Sequence, residues 1–218
     1  MKPYKKINVV IGAYFNDLPN LQKNKIGLDG VNKWIKSVTD KGYHAILLTN
    51  KIELENTELF KNIWVDTNKH FSVYHNRFIK IIEWLNDNQY YLNEVWITDA
   101  TDVEMINKPE INSGKIYVGS EQENNNCKWI LENSIECKKK ISDYNFIVKP
   151  QNTLLNCGVI GGNIDVLLPK LNEYKDLLIK MQSPFADMPL INYLGYKYKF
   201  EFGKTKDGTV ILEDVNVG

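Results

Sequence analysis

Arginine is almost missing from this 218-residue chain: Arg77 stands alone, and the other side chains that carry a full positive charge at neutral pH are lysines. Cations and anions balance at 27 each, so the formal net charge is zero. A chain-wide basic field able to draw in nucleic acid is therefore absent, although a local patch is still open to it. Cysteine is scarce too. Cys127, Cys137 and Cys157 make three, an odd number without CxxC spacing, which excludes a disulfide framework and a zinc knuckle and points to a reducing, cytoplasmic setting. No apolar run approaches the roughly 18 to 20 residues that span a bilayer. Lys2, Lys5 and Lys6 precede an apolar stretch, but Asn8 interrupts it and Asn16-Asp17 stands where small cleavage-site residues belong, so the segment reads as a strand and not as a signal peptide. Internal repeats and linker-like tracts are also lacking. What remains, 43% hydrophobic and 11% aromatic residues, is enough for one well-packed domain.

The apolar residues alternate between strand-like and helix-like runs. KINVVIGAYF at 6–15 reads as a buried strand, and Leu28, Val31, Trp34, Ile35 and Val38 recur at helical spacing before a Lys41-Gly42 stop. Strands are expected at 43–50, 62–67 and 94–98, with a helix over 74–86 between the last two. Short buried strands separated by helices are the mark of βαβ units on a parallel sheet, an α/β layered fold. The second half is less regular. IYVG at 116–119 is followed by a polar stretch, a helix over about 127–140, mixed sheet and loop over 146–163, and a helix over 164–181 whose Pro169 is best placed in the first turn.

In α/β sheets ligands sit beyond the carboxyl ends of the strands, and one such end is acidic. EVWITDATDV carries Asp99 and Asp102 into a turn. Paired carboxylates suit Mn²⁺ or Mg²⁺, which use one or two protein carboxylates and let substrate phosphates complete the shell. A turn cap and a solvated aspartate are the plain alternative. Arg77 lies on the helix before this strand, and a planar guanidinium grips phosphate in a way lysine does not; a surface ion pair is the competing reading. Tyr14 ends the first strand, where it would stack on a base or simply fill the core. Asp66, after the third strand, would bind ribose or Arg77, or cap a turn. Lys204 is a candidate phosphate contact. His70 and His75 do not make the i, i+4 pair of a helical zinc site, and Cys157 reads as a small buried hydrophobe.

ITDATDV resembles the acidic metal-binding motif of GT-A-fold glycosyltransferases, in a bacterial or phage-type variant with two residues between the aspartates instead of one. NTLLNCGVIGGN at 152–163 is similar to that family's Asn-x-Gly segment, ADMPLINYL at 186–194 to its Asp-Gln-x-x-Leu-Asn stretch with Met188 in place of glutamine, and GSEQENNNCKWI at 119–130 to its acidic loop. The resemblance runs over about residues 6–194. It implies a Rossmann-like GT-A sheet, mixed and mainly parallel, in one domain whose residues 1–110 bind nucleotide and whose residues 111–218 address sugar and acceptor. By the same resemblance Asp99 and Asp102 hold Mn²⁺ or Mg²⁺, with the direct ligand of the two left open. Arg77 would contact the diphosphate or base, Ala13 and Tyr14 the nucleoside, and Asn156, Gly158, Gly161 and Gly162 the sugar. Asp187 would be the general base of an inverting reaction or a sugar-orienting group in a retaining one.

The function implied is sugar transfer from a nucleotide-diphosphate sugar, UDP-sugar favoured, to a hydroxyl on a glycan, lipid-linked sugar, protein or modified DNA base. A second copy or a partner chain is expected to complete the site, because VILEDVNVG carries no histidine-bearing tail. A non-catalytic nucleotide- or carbohydrate-binding module of the same fold is the main alternative. A sugar-phosphate nucleotidylyltransferase ranks below it, since GAYFNDLPN replaces the glycine- and arginine-rich loop of that class. A phosphatase ranks lower still, because Asp99 and Asp102 have the wrong spacing for an Asp-x-Asp nucleophile.

Overall fold

The computed structural model describes residues 5–15, 28–50 and 52–204. Its strands are β1 (Ile7–Tyr14), β2 (His44–Thr49), β3 (Phe60–Trp64), β4 (Leu92–Thr98), β5 (Ile116–Asn124), β6 (Thr153–Asn163) and β7 (Glu201–Lys204). They form one sheet in the order β3-β2-β1-β4-β6-β5-β7, so both halves of the chain contribute to it. The β3-β2-β1-β4 block is parallel, β6 runs antiparallel to β4 and β5, and β7 lies parallel to β5. The fold is thus α/β with a mixed, mostly parallel sheet.

The helices are α1 (Leu28–Asp40), α2 (Val73–Asn88), α3 (Lys128–Asn133), α4 (Ile135–Lys140), α5 (Tyr144–Ile147), α6 (Ile164–Lys180) and α7 (Asp187–Tyr198). None of the described helices is long and apolar enough to cross a membrane. Strand pleating sends alternate residues to opposite layers. Val9, Ile11, Val95 and Ile97 join α2, α6 and α7 in the larger core, whereas Val10 and Trp96 join Val31, Trp34 and Val38 of α1 in the smaller one. Ser72 caps α2 by accepting from the His75 amide (3.2 Å), and Asn163 caps α6 by accepting from the Asp165 amide (3.0 Å).

Three expectations are corrected in detail. The third strand spans 60–64 instead of 62–67, because the Phe60 side chain, not Val65, is the deeply buried one. The helix over 127–140 is two helices parted at Ser134. Pro169 lies beyond the first turn of α6, inside the helix. Pro169 and Asp165 are both exposed, so the Asp165 carbonyl left without its amide partner sits on the solvent side of the helix.

Candidate functional site

The chain passes from β1 to β2 to β3 on one side of the sheet and then places β4 on the other side of β1. The carboxyl ends of β1 and β4 therefore lie where the strand order reverses, the usual location of ligands in such sheets. Tyr14 ends β1 there, and the 99–102 turn leaves β4 there.

Glycines seat that turn. A Cβ on Gly12 of β1 would lie 2.7 Å from Ala100 Cβ, and one on Gly30 in the first turn of α1 would run into the Thr101 carbonyl. Trp34 Nε1 donates to Thr98 Oγ1 (2.8 Å), fixing α1 to the last residue of β4. A glycine inside a helix pattern usually has such a packing reason.

From the seated turn, Asp99 points into the α2 layer and Asp102 stays exposed, its Oδ1 accepting from Thr101 Oγ1 (3.3 Å). Asp99 pairs with Arg77, whose side chain is 14% exposed against 28% for the aspartate. Arg77 Nη2 also donates to the Cys157 carbonyl (3.4 Å), its Cζ lies 4.4 Å from the Phe78 ring centroid, and its Nε is buried without a partner among the described residues. The solvated surface pair is thereby replaced by a largely enclosed one, and the partner is Asp99, not Asp66. Asp66 is exposed beyond the edge strand β3.

β6 approaches the turn through a bulge. Its register with β5 jumps from Val118 opposite Ile160 to Gly119 opposite Asn156, and bulges of this kind re-aim side chains beside functional sites. The Asp99 amide donates to the Gly158 carbonyl (3.0 Å). A Cβ on Gly158 would sit 2.8 Å from Asn156 Oδ1 and 2.9 Å from Asp99 Oδ2. Asn156 Oδ1 accepts from the Gly158 amide (2.5 Å), and Asn156 Nδ2 donates to Glu121 of β5. Fully buried Asn192 of α7 donates to the Leu155 carbonyl and accepts from its amide, both at 2.9 Å, which clamps α7 to the bulge.

Asp187 opens α7 and is 5% exposed. Its Oδ2 accepts from Cys157 Sγ (3.3 Å), and its backbone carbonyl accepts from Tyr174 Oη (3.1 Å). Burial, then the charge of Asp187, pushes the Cys157 thiol far above its usual range, so the thiol stays protonated and serves as a donor. His75 of α2 is 2% exposed, with Nε2 buried and unpartnered among the described residues. Desolvation lowers its pKa, while Asp187, the Ser183 backbone and Glu136 pull the other way.

Arg77, Asp99, Asn156, Gly158 and Asp187 are thus linked around Cys157 and the β6 bulge, and Asp102 stands exposed three residues beyond Asp99. Gly161 and Gly162 do not join them. They pair with Trp96 and Val95, back along β4, about 10 Å from its acidic end at strand spacing. A Cβ on Gly161 would fall inside the Trp96 indole, and Gly162 (φ +153°) abuts the Lys115 carbonyl, so both positions have a packing reason for glycine. Ala13 packs toward the larger core and Tyr14 toward the α1 layer. Lys204 closes β7 next to Ser120 of β5, and its side chain lies outside the described residues, as does the 205–218 tail.

Sequence reading missed Glu121, Asn192 and Gly30. Glu121 and Asn192 stood inside segments already singled out, but nothing in their spacing told which side chain turns inward. Among the described residues no three His, Cys, Asp or Glu side chains gather into a cage. That excludes nothing for Mn²⁺ or Mg²⁺, to which two carboxylates and a substrate phosphate suffice. Neither protein-family models nor curated proteins match the chain.

Proposed function

We propose that the chain is a GT-A-type glycosyltransferase that takes its sugar from a nucleotide diphosphate, UDP-sugar favoured, with Mn²⁺ or Mg²⁺. The observation that carries the reading is the difference between the two aspartates: Asp99 is neutralised by Arg77, while Asp102, in the turn that leaves the carboxyl end of β4, has an exposed carboxylate.

Asp102 is the direct ligand in this proposal and Asp99 acts from behind it. When bound there, the cation supplies neutralisation of the charge that builds on the departing diphosphate. Arg77 positions Asp99 and cancels its charge, so that the wall opposes an anionic leaving group less than an unpaired carboxylate would. Asn156 has one amide proton and one Oδ1 lone pair left for sugar hydroxyls, and Gly158 holds that side chain in place. Asp187 orients the sugar from below by way of Cys157.

A second reading, a binding module without turnover, draws support from the near-complete burial of Asp187, whose carboxylate is turned to a thiol. One experiment separates the two. UDP-sugars with Mn²⁺ should raise the melting temperature, because a ligand that binds only the native state stabilises it, by about 2.7 kcal/mol at a hundredfold excess over Kd. Slow Mn²⁺-dependent hydrolysis of the donor should accompany the shift. Stabilisation without hydrolysis selects the module, and no stabilisation by any UDP-sugar removes the transferase and a nucleotide-binding module alike.

A further inference from the structure

A line of aromatic rings runs from α2 through the segment before α7 to α3. Tyr74 on the first turn of α2 lies 5.5 Å, centroid to centroid, from Phe185 in the segment before α7, and Phe185 lies 6.0 Å from Trp129 of α3 in an edge-to-face arrangement. Trp129 is 38% exposed, and Tyr74 and Phe185 are half-buried. The line is held from both sides. Ser72 Oγ donates to the Pro184 carbonyl (2.9 Å), and Glu136 of α4 accepts from the Gln182 amide (2.9 Å) and the Ser183 amide (2.7 Å). Three elements distant in sequence are thus pinned so that their rings share one rim.

That rim adjoins hydrogen-bonding groups. Tyr74 and Arg77 are three apart on α2 and share its face. Phe185 is two residues before Asp187, and α3 follows directly on β5, the strand of Glu121. Aromatic faces next to carboxylates and amides match a ligand with two chemistries: an apolar ring face of C–H groups and a hydroxylated edge. A pyranose offers both, C–H groups to the ring faces and hydroxyls to the polar groups.

We infer that Tyr74, Phe185 and Trp129 form a carbohydrate-binding ledge, and that the acceptor is a pyranose-bearing glycan stacked there. The ledge is preorganised by its backbone ties, so binding pays little ordering cost. Its role as an acceptor site rests on the transferase reading, whereas sugar binding itself does not.

Saturation-transfer NMR on the full chain tests it without nucleotide or metal. The probes are methyl β-D-glucopyranoside, methyl β-D-galactopyranoside and maltotriose, with cyclohexanol as a ring that lacks the hydroxylated edge. Saturation on the C–H face of at least one sugar is expected, weakened about tenfold in Trp129→Ala and in Phe185→Ala. Trp129→Phe should regain most of it. Trp129 lies on a helix surface, so its variant keeps the test alive should Phe185→Ala unfold. No sugar signal, cyclohexanol bound as well as the sugars, or full binding by Trp129→Ala overturns the ledge. UDP with Mn²⁺ titrated into the same samples reports on the donor site separately. Binding of UDP but of no sugar overturns the ledge alone; binding of sugar but not UDP upholds it and removes the donor reading.

Discussion

Arg77 and Asp99 close an ion pair between α2 and the end of β4, and the only arginine of the chain is spent on it. Because Nη2 also reaches the Cys157 carbonyl, one guanidinium joins α2, β4 and β6. A lysine ammonium is a compact point charge without that fork. Arg77→Lys is therefore expected to lose about 2 kcal/mol in urea unfolding, and Arg77→Ala more, since Asp99 is then left without its counter-charge. An unchanged midpoint in Arg77→Lys would count against the fork as the reason for arginine.

The two aspartates should respond differently to neutralisation. Asp102→Asn alters an exposed side chain, so stability should stay within about 0.5 kcal/mol of the parent while Mn²⁺-dependent stabilisation by UDP-sugar disappears. Asp99→Asn should lower the melting temperature as well, because Arg77 loses its partner. Melting curves with and without Mn²⁺ and UDP-sugar distinguish the patterns; unchanged metal dependence in Asp102→Asn would remove it as direct ligand.

Glycines 158 and 161, close in sequence, do separate jobs. In Gly158→Ala the added methyl presses on Asp99 and Asn156 side chains, which can shift by tenths of an ångström, so the fold should survive and donor binding should drop. In Gly161→Ala it meets the buried Trp96 indole. A loss of about 3 kcal/mol is expected, or about 10 °C in melting temperature for a chain of this size. Equal melting points for the two variants would contradict this division.

Acid should weaken the fold through His75. Its pKa in the folded chain is below the ordinary 6.5 because burial disfavours the cation. Between the folded value and 6.5 the unfolded chain binds more protons, so stability rises with pH and is lost as pH falls through that window. The slope from this group is at most about 1.4 kcal/mol per pH unit, and His75→Gln should remove it. Chemical unfolding at pH 7.5, 6.5 and 5.5 reads it directly; a His75→Gln variant with the parent's slope would move the effect to another group.

The α/β class was legible because apolar runs at 6–15, 43–50 and 94–98 are buried on both faces and carry their strand signal without alternation. The acidic end of β4 was legible for the same reason, as a charged pair directly after such a run. The Arg77–Asp99 pair was not, since it joins residues on two elements whose relative rotation only the packing of α2 sets. Gly158, Gly161 and Gly162 look alike as letters, and only the bulge and the bulk of Trp96 separate the one packed against Asp99 and Asn156 from the two filling a seam. The burial of Asp187 was not legible either: the first turn of α7 packs beneath Cys157 and takes the carboxylate out of water.

The amide of Asp99 is tied to the carbonyl of Gly158 across the junction where strand direction reverses. The acidic tip and the bulge are therefore one stiff backplate, and whatever loads the tip also damps the neighbouring backbone. Deuterium uptake at the Asp99 amide should accordingly slow when UDP-sugar and Mn²⁺ are present, a fingerprint of occupancy that needs no turnover at all.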